Sequence, residues 1–165
     1  MSKDASDNPG LYKESVHYGR KFDLGNFESL DIEVTIWASL TDTNSHAAMQ
    51  ALWALARNAA RFAYIKALGG LNDVSVLTLG AELPSGTTVE TVSLSLTRKV
   101  NTGKKYENAT LGNSLWYNVD GEDWERLISS LWQSVFNNIA AAVPVAGKNP
   151  MEEVYLGVEE EVDVE

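Results

Sequence analysis

The segment that most constrains the fold is an amphipathic helix in the last third of the chain. Its apolar residues recur at the i, i+3, i+4, i+7 spacing of a single helical face. They are Trp124, Leu127, Ile128, Leu131, Trp132, Val135, Phe136 and Ile139. The spacing predicts a helix over 123–142, ended by Pro144 and Gly147. A stripe this apolar has to be buried against another element of the fold.

Alternating segments predict that this other element is antiparallel sheet. Over 30–40, Leu30, Ile32, Val34 and Ile36 fall on one face, and Asp31, Glu33, Thr35 and Trp37 fall on the other. A preceding strand is expected over 17–24, with the turn-forming pair Gly25-Asn26 between the two. Strand character returns over 74–119, interrupted by turns at 84–86 and 102–104.

An alanine-rich segment between these regions predicts another helix, from Asn44 or Ser45 to about Leu68, where Gly69-Gly70 stops it. Its apolar stripe leaves Arg57, Arg61 and Lys66 on flanking or outer positions, and consists of Leu52, Leu55, Ala56, Ala59, Phe62 and Ala63. The tryptophans on the two helices, Trp53, Trp124 and Trp132, are expected to pack in the core. The predicted class is therefore α+β, with antiparallel sheet packed against two main helices.

Charge is distributed unevenly along the chain. The segment 151–165 carries seven acidic side chains and no Lys or Arg, whereas 15–148 holds thirteen acids and eleven bases. We predict a flexible N-terminal arm over 1–13, a single domain over 14–148 and an acidic flexible tail over 149–165. Most of the net charge of -10 therefore comes from the predicted tail and not from the predicted domain.

Several kinds of chemistry find no support in the sequence. The chain has no cysteine, and neither His17 nor His46 has a nucleophile or acid at a motif spacing. Phosphate-binding glycine motifs and a long apolar run are missing as well. Asp31 and Glu33 share a strand face and could seat magnesium, but a solvated face is the stronger interpretation, so no metal or cofactor is predicted. We expect a non-enzymatic, cytoplasmic protein without a membrane partner.

Two parts of the chain resemble each other at an offset of 78 residues. Arg20-Lys21-Phe22-Asp23-Leu24-Gly25 is echoed by the six residues from Arg98. After one inserted residue Trp37 is echoed by Trp116, and each stretch precedes a helix. The echo fits an internal duplication and fits chance equally well. A duplication would give two sheets and two helices about a pseudo-two-fold axis. In element order alone, this plan resembles the PUR-repeat and Whirly nucleic-acid-binding proteins.

The segment Tyr18–Leu30 reads YGRKFDLGNFESL. It resembles a signature of small phage-encoded proteins, Gly-Arg-Lys-x-x-Leu-Gly-Asn-(Phe/Tyr)-Glu-Ser, over roughly Val16–Trp37. Membership would imply a phage source and a place beside replication and recombination proteins, without assigning a mechanism.

In overall plan, a β-rich body with an acidic C-terminal tail, the chain is similar to phage and bacterial single-stranded DNA-binding proteins. The resemblance implies a tail that occupies the binding groove and recruits partners. Bacterial members end in an aromatic residue, whereas this sequence ends in Val-Asp-Val-Glu and its tail aromatic is the internal Tyr155.

Binding of a single strand needs cations for phosphates and flat side chains for bases. The candidate residues lie in the two hairpin regions and are Tyr18, Arg20, Lys21, Phe22, Phe27, Trp37, Arg98, Lys99, Lys104, Lys105, Tyr106 and Trp116. Strand alternation places Tyr18, Arg20 and Phe22 on one face and Lys21 on the other. The competing interpretation is that the rings are core and the bases protect strand edges.

The leading hypothesis is a dimeric single-stranded DNA-binding protein of phage replication or recombination, whose tail competes with DNA and contacts partner proteins. Two other hypotheses stay open. One is a phage-encoded inhibitor or DNA mimic, which the near-neutral body disfavours. The other is a virion structural or assembly protein in which the aromatic faces are subunit contacts.

Overall fold

The described part of the chain forms two hairpins, each followed by a helix. The computed structural model describes residues 11–41, 43, 45–67, 79–80, 82–105, 107–119 and 123–146. In order, the elements are β1 (Tyr12–Gly25), β2 (Glu28–Leu40), α1 (Ser45–Ala67), β3 (Thr88–Asn101), β4 (Asn108–Asn118) and α2 (Trp124–Ala146). The α+β class with antiparallel sheet and two helices is confirmed.

All four strands belong to one antiparallel sheet in the order β1-β2-β3-β4. Register places Ile32 opposite Arg20 on β1 and opposite Leu96 on β3. Side chains directly opposite each other lie on the same face, so one face is continuous from β1 to β4. That face carries the buried residues Leu30, Ile32, Val34, Ile36, Val92, Leu94 and Leu96, and both helices pack on it.

The two helices lie side by side on this helix face. α1 packs on β1 and β2, α2 packs on β3 and β4, and the helices contact each other. Trp132 is 1% exposed, and its Nε1 donates a hydrogen bond of 2.8 Å to the carbonyl of Ala59 on α1. Trp124 is buried as predicted. Trp53 is 46% exposed, so the prediction that it packs in the core is wrong. The predicted apolar stripe of α1, which includes Leu52, Leu55 and Ala59, is buried.

Two element boundaries differ from the sequence-based expectation. β1 begins at Tyr12, because the end of the predicted arm pairs with the last residues of β2: Tyr12 opposes Leu40 and Lys13 opposes Ser39. α2 continues through Pro144 to Ala146. Proline has no backbone N–H, so Pro144 removes one helical hydrogen bond. In the last turn this loss is tolerated because no further turn follows.

The edge pairing is reinforced by side chains from three strands. Glu90 of β3 accepts a hydrogen bond from the hydroxyl of Ser39 and lies 3.1 Å from the ammonium of Lys13. The Ser39 hydrogen bond, with the contact to Lys13, lowers the pKa of Glu90 below its ordinary value. These contacts hold the start of β1 to the sheet.

The suspected repeat places equivalent residues at equivalent positions. Arg20 and Arg98 lie on β1 and β3 and point to the helix face, whereas Trp37 and Trp116 lie on β2 and β4 and point away from it. The described strands form one sheet rather than two. Since β1 and β3 run in the same direction, the hairpins are related by a shift of two strands and not by a two-fold axis. The duplication itself stays a prediction.

Several sequence-based expectations lie outside the described residues. They concern most of the N-terminal arm, Asn44 as a helix cap, the Gly69-Gly70 stop, a strand before Leu79, and the acidic tail. In the ranges that are described, neither helix combines the length and apolarity that crossing a bilayer requires.

Candidate nucleic-acid interface

A cavity of about 360 Å³ opens between the edge strand β1 and helix α1. It is lined by Tyr18, Arg20, Phe22, Ile32, Arg57, Ala60, Arg61, Tyr64 and Ile65. We call it the arginine cavity, because it contains three of the five arginines in the chain.

Local sequence explains how these side chains meet. On β1, residues two apart point to the same face, so Tyr18, Arg20 and Phe22 all project toward α1. On α1, Arg57 and Arg61 are one turn apart and therefore neighbours on the helix surface. The methyl side chain of Ala60 and the buried Ile32 leave the intervening space unfilled.

Two aromatic rings, Phe22 of β1 and Tyr64 of α1, contact each other in the arginine cavity. The ring centroids of Phe22 and Tyr64 are 4.9 Å apart with an interplanar angle of 38°. The guanidinium carbon of Arg20 lies 5.4 Å from the centroid of Phe22, within the range of a cation–π contact. Tyr64 is 40% exposed, so part of its ring is accessible from solvent.

The electrostatics of the cavity are unbalanced. Within the described ranges, none of Arg20, Arg57 and Arg61 forms an ion pair, and no acidic side chain lines the cavity. Like charges one turn apart on a helix destabilise it slightly. The arrangement therefore suits an anionic ligand that supplies the missing negative charge, with the rings beside it as a stacking surface.

The predicted binding residues do not form one surface. Tyr18, Arg20 and Phe22 lie together in the arginine cavity, as their shared strand face predicted. Arg98 also lies on the helix face, but it lines a separate cavity with Leu24 and Phe136. Its guanidinium is 3.8 Å from the carboxylate of Glu28.

The face of the sheet away from the helices, here called the open face, carries other predicted residues. Trp116 is 66% exposed and opposes Ser93, whereas Trp37 is only partly exposed and opposes Thr91. Lys99 lies six residues along β3 from Ser93, which is about 20 Å at the rise of a strand. The tryptophans and Lys99 therefore occupy opposite ends of the open face.

The lysine end of the open face is adjacent to the β1–β2 turn. Lys21, Phe27 and Lys99 line a cavity of about 300 Å³ together with Asp23, Glu28 and Ser29. Lys104 and Lys105 follow in the β3–β4 connection. Tyr106, the remaining residue of the predicted binding set, lies outside the described residues.

Sequence reasoning missed three residues of the arginine cavity: Arg57, Arg61 and Tyr64. The sequence places the two arginines on flanking or outer positions of α1 but does not assign them to binding. Arg57, Arg61 and Tyr64 are spaced at i, i+4 and i+7, and this spacing predicts that they lie along one side of the helix. Only the docking of α1 on β1 shows that this side faces Arg20 and Phe22.

The open face does not assemble a metal site in the described part of the chain, where no three His, Asp or Glu side chains cluster. Asp31 and Glu33 share the open face, as predicted. Glu33 lies 4.0 Å from His17, and the Nδ1 of His17 is 2.9 Å from the hydroxyl of Thr35.

The β1–β2 turn holds an exposed phenylalanine in an unfavourable backbone conformation. Asn26 and Phe27 have φ angles of 53° and 61°, and Phe27 is 81% exposed. Asparagine tolerates this left-handed region, but a bulky residue is disfavoured there and glycine is preferred. The ring gains no burial in return for this conformation.

Replacing Phe27 by glycine is expected to raise the free energy of unfolding by about 0.5–1 kcal/mol, because the strain of the left-handed conformation is relieved. Urea denaturation measures the change. Phe27→Ala is the matched control, since alanine loses the ring but keeps a Cβ in the strained conformation. If the glycine and alanine variants are equally stable, the backbone conformation of Phe27 does not lower the stability of the protein.

No protein family, curated protein or solved structure matches the chain.

Proposed function

We propose that the protein binds single-stranded DNA without catalysing a reaction, and that the strand enters the arginine cavity. The observation that carries the proposal is the group of three arginines beside the Phe22–Tyr64 pair, with no acidic partner in the described ranges. Guanidinium groups bind phosphate oxygens in a forked geometry, and aromatic faces stack on bases of any sequence.

The position of the cavity fits a single strand better than a duplex. The cavity lies at the sheet edge, between β1 and α1, and its rings are reached from within it. Bases paired in a duplex cannot leave the stack to reach such rings without a cost in unpairing. A strand that leaves the cavity passes the β1 edge and reaches Lys21 and Lys99 on the open face.

A titration of labelled oligonucleotides tests the proposal. We expect single strands to bind at micromolar protein concentration in low salt, and duplexes of the same sequence to bind more weakly. The salt dependence should be steep, because each phosphate contact releases a counterion. Failure of single strands to bind under these conditions would end the proposal.

The acidic tail regulates this site in the same proposal. Seven carboxylates within 151–165 compete with DNA for the cationic surface, and their interleaved apolar residues contact replication or recombination proteins. The setting that we propose is phage DNA metabolism in a host cytoplasm, with the protein acting as a dimer.

Deletion of residues 151–165 is expected to tighten single-strand binding several-fold at low salt, because the competing negative charge is removed. Fluorescence anisotropy of a labelled oligonucleotide measures the change. A tail of equal length with Asn and Gln in place of its acids is the control and should behave like the deletion. Unchanged affinity in both variants would reject the competition.

A protein-contact role is the second candidate, and Trp116 favours it. Its ring is 66% exposed on the open face, about 20 Å from the lysine end. Exposed tryptophans are enriched at protein interfaces. Trp116→Ala would weaken oligomerisation or partner binding on this hypothesis and leave the arginine cavity intact.

A further inference from the structure

The arginine cavity carries more positive charge than one internal nucleotide of a strand can balance. Arg20, Arg57 and Arg61 bring three positive charges to it, and no acidic residue in the described ranges lines it. A phosphodiester inside a strand carries one negative charge, whereas a terminal phosphate carries about 1.5–2 at neutral pH. The charge therefore fits a terminal phosphate more closely.

The size of the cavity points the same way. At about 360 Å³ it lies near the lower end of the range for small-ligand sites, roughly 300–1,000 Å³. Non-specific single-strand grooves instead cover about 4–16 nucleotides. A cavity of this size accommodates one nucleotide rather than a run of them.

The arrangement of the side chains suits a phosphate with three free oxygens. Arg57 and Arg61 approach from α1, and Arg20 approaches from the facing strand, where it is held beside the ring of Phe22. Guanidinium groups on opposite walls can engage different oxygens of one phosphate, while the Phe22–Tyr64 pair contacts the attached base.

We propose that the arginine cavity binds a terminal phosphomonoester together with its nucleotide, so that the protein recognises the phosphorylated end of a single strand. This inference rests on the proposed function and specifies its ligand. The rest of the strand then follows the β1 edge toward Lys21 and Lys99 on the open face.

Three internally labelled ten-nucleotide thymidine oligomers test the inference, carrying a 5′-phosphate, a 3′-phosphate or no terminal phosphate. We expect one phosphorylated oligomer to bind about tenfold more tightly than the unphosphorylated one at pH 7.5. The preference should shrink as the pH falls through about 6, because the second phosphate proton then binds. Thymidine monophosphate as a competitor should displace that oligomer only at a much higher concentration, because it lacks the contacts of the strand with Lys21 and Lys99. Displacement at an equal concentration would overturn the recognition of a strand end.

Two substitutions test which residues cause the preference for a phosphorylated end. Arg61→Gln should abolish it, and Lys99→Gln on the open face should lower overall affinity while keeping it. Equal affinities of the three oligomers would overturn the inference and leave the proposed function standing, whereas the absence of any binding would reject the proposed function itself. Loss of the preference in Lys99→Gln but not in Arg61→Gln would also overturn the inference.

Discussion

Replacing Arg57 and Arg61 together by glutamine is expected to weaken single-strand binding by about 100-fold or more at low salt. Each hydrogen bond to a charged group contributes about 1.5–3 kcal/mol, and two such contacts would be lost. The slope of log K against log salt should fall by about 0.7–1.4, because each neutralised phosphate on a single strand contributes about 0.7 and the two arginines engage one or two phosphates. Anisotropy titrations across a salt series measure both quantities.

The control for this pair is Arg126→Gln. Arg126 is an exposed arginine of α2 that lies 3.2 Å from Asp123 and lines none of the three cavities described above. The substitution removes one arginine charge outside the three cavities. An equal loss of affinity per charge in Arg126→Gln would mean that binding depends on net charge and not on the arginine cavity.

Replacing Trp132 by alanine is expected to lower the free energy of unfolding by about 3–5 kcal/mol, as other buried tryptophan and phenylalanine truncations do. Trp132 is 1% exposed and joins the two helices through its hydrogen bond to Ala59. Its removal leaves a void and removes this hydrogen bond between the helices. Urea denaturation followed by circular dichroism measures the loss.

Trp53→Ala provides the comparison within the same fold. Trp53 is a helix tryptophan of α1 but is 46% exposed, so its truncation should cost less than about 1 kcal/mol. If both substitutions cost the same, the packing of α2 against α1 would differ from the arrangement described here.

The fold was predictable where one face of an element is strongly apolar. The alternation of Leu30, Ile32, Val34 and Ile36 identified β2, and the stripe through Ile128 and Trp132 identified α2. Both patterns are dictated locally by burial on one side. The start of β1 was not predictable, because its polar residues are held by pairing with β2 and by the contact of Lys13 with Glu90.

Helix α1 shows why single residues were harder to place. The predicted stripe of Leu52, Leu55, Ala56, Ala59, Phe62 and Ala63 is the buried face, but Trp53 was also assigned to the core although it lies outside that stripe. In the structure the small residues Ala56 and Ala59 face the sheet and allow close approach of the helix. Trp53 lies about 100° around the helix from Leu52, toward solvent.

Only part of the candidate site could be predicted, because the sequence pattern relates residues within one element and not between elements. Alternation along β1 correctly placed Tyr18, Arg20 and Phe22 together. It could not show that Lys99 and Trp116 lie on the other side of the sheet, because alternation relates residues within a strand and register relates the strands. The contribution of α1 depends on helix-to-sheet docking, which leaves no local signal in sequence.

Photocrosslinking shows whether a single strand occupies the arginine cavity. Thymidine oligomers carrying 5-iodouracil would be irradiated with the full-length protein, and the crosslinked peptides located by mass spectrometry. We expect adducts on Tyr18, Phe22 or Tyr64, the rings of the cavity. Adducts confined to Trp37 and Trp116 on the open face would contradict it.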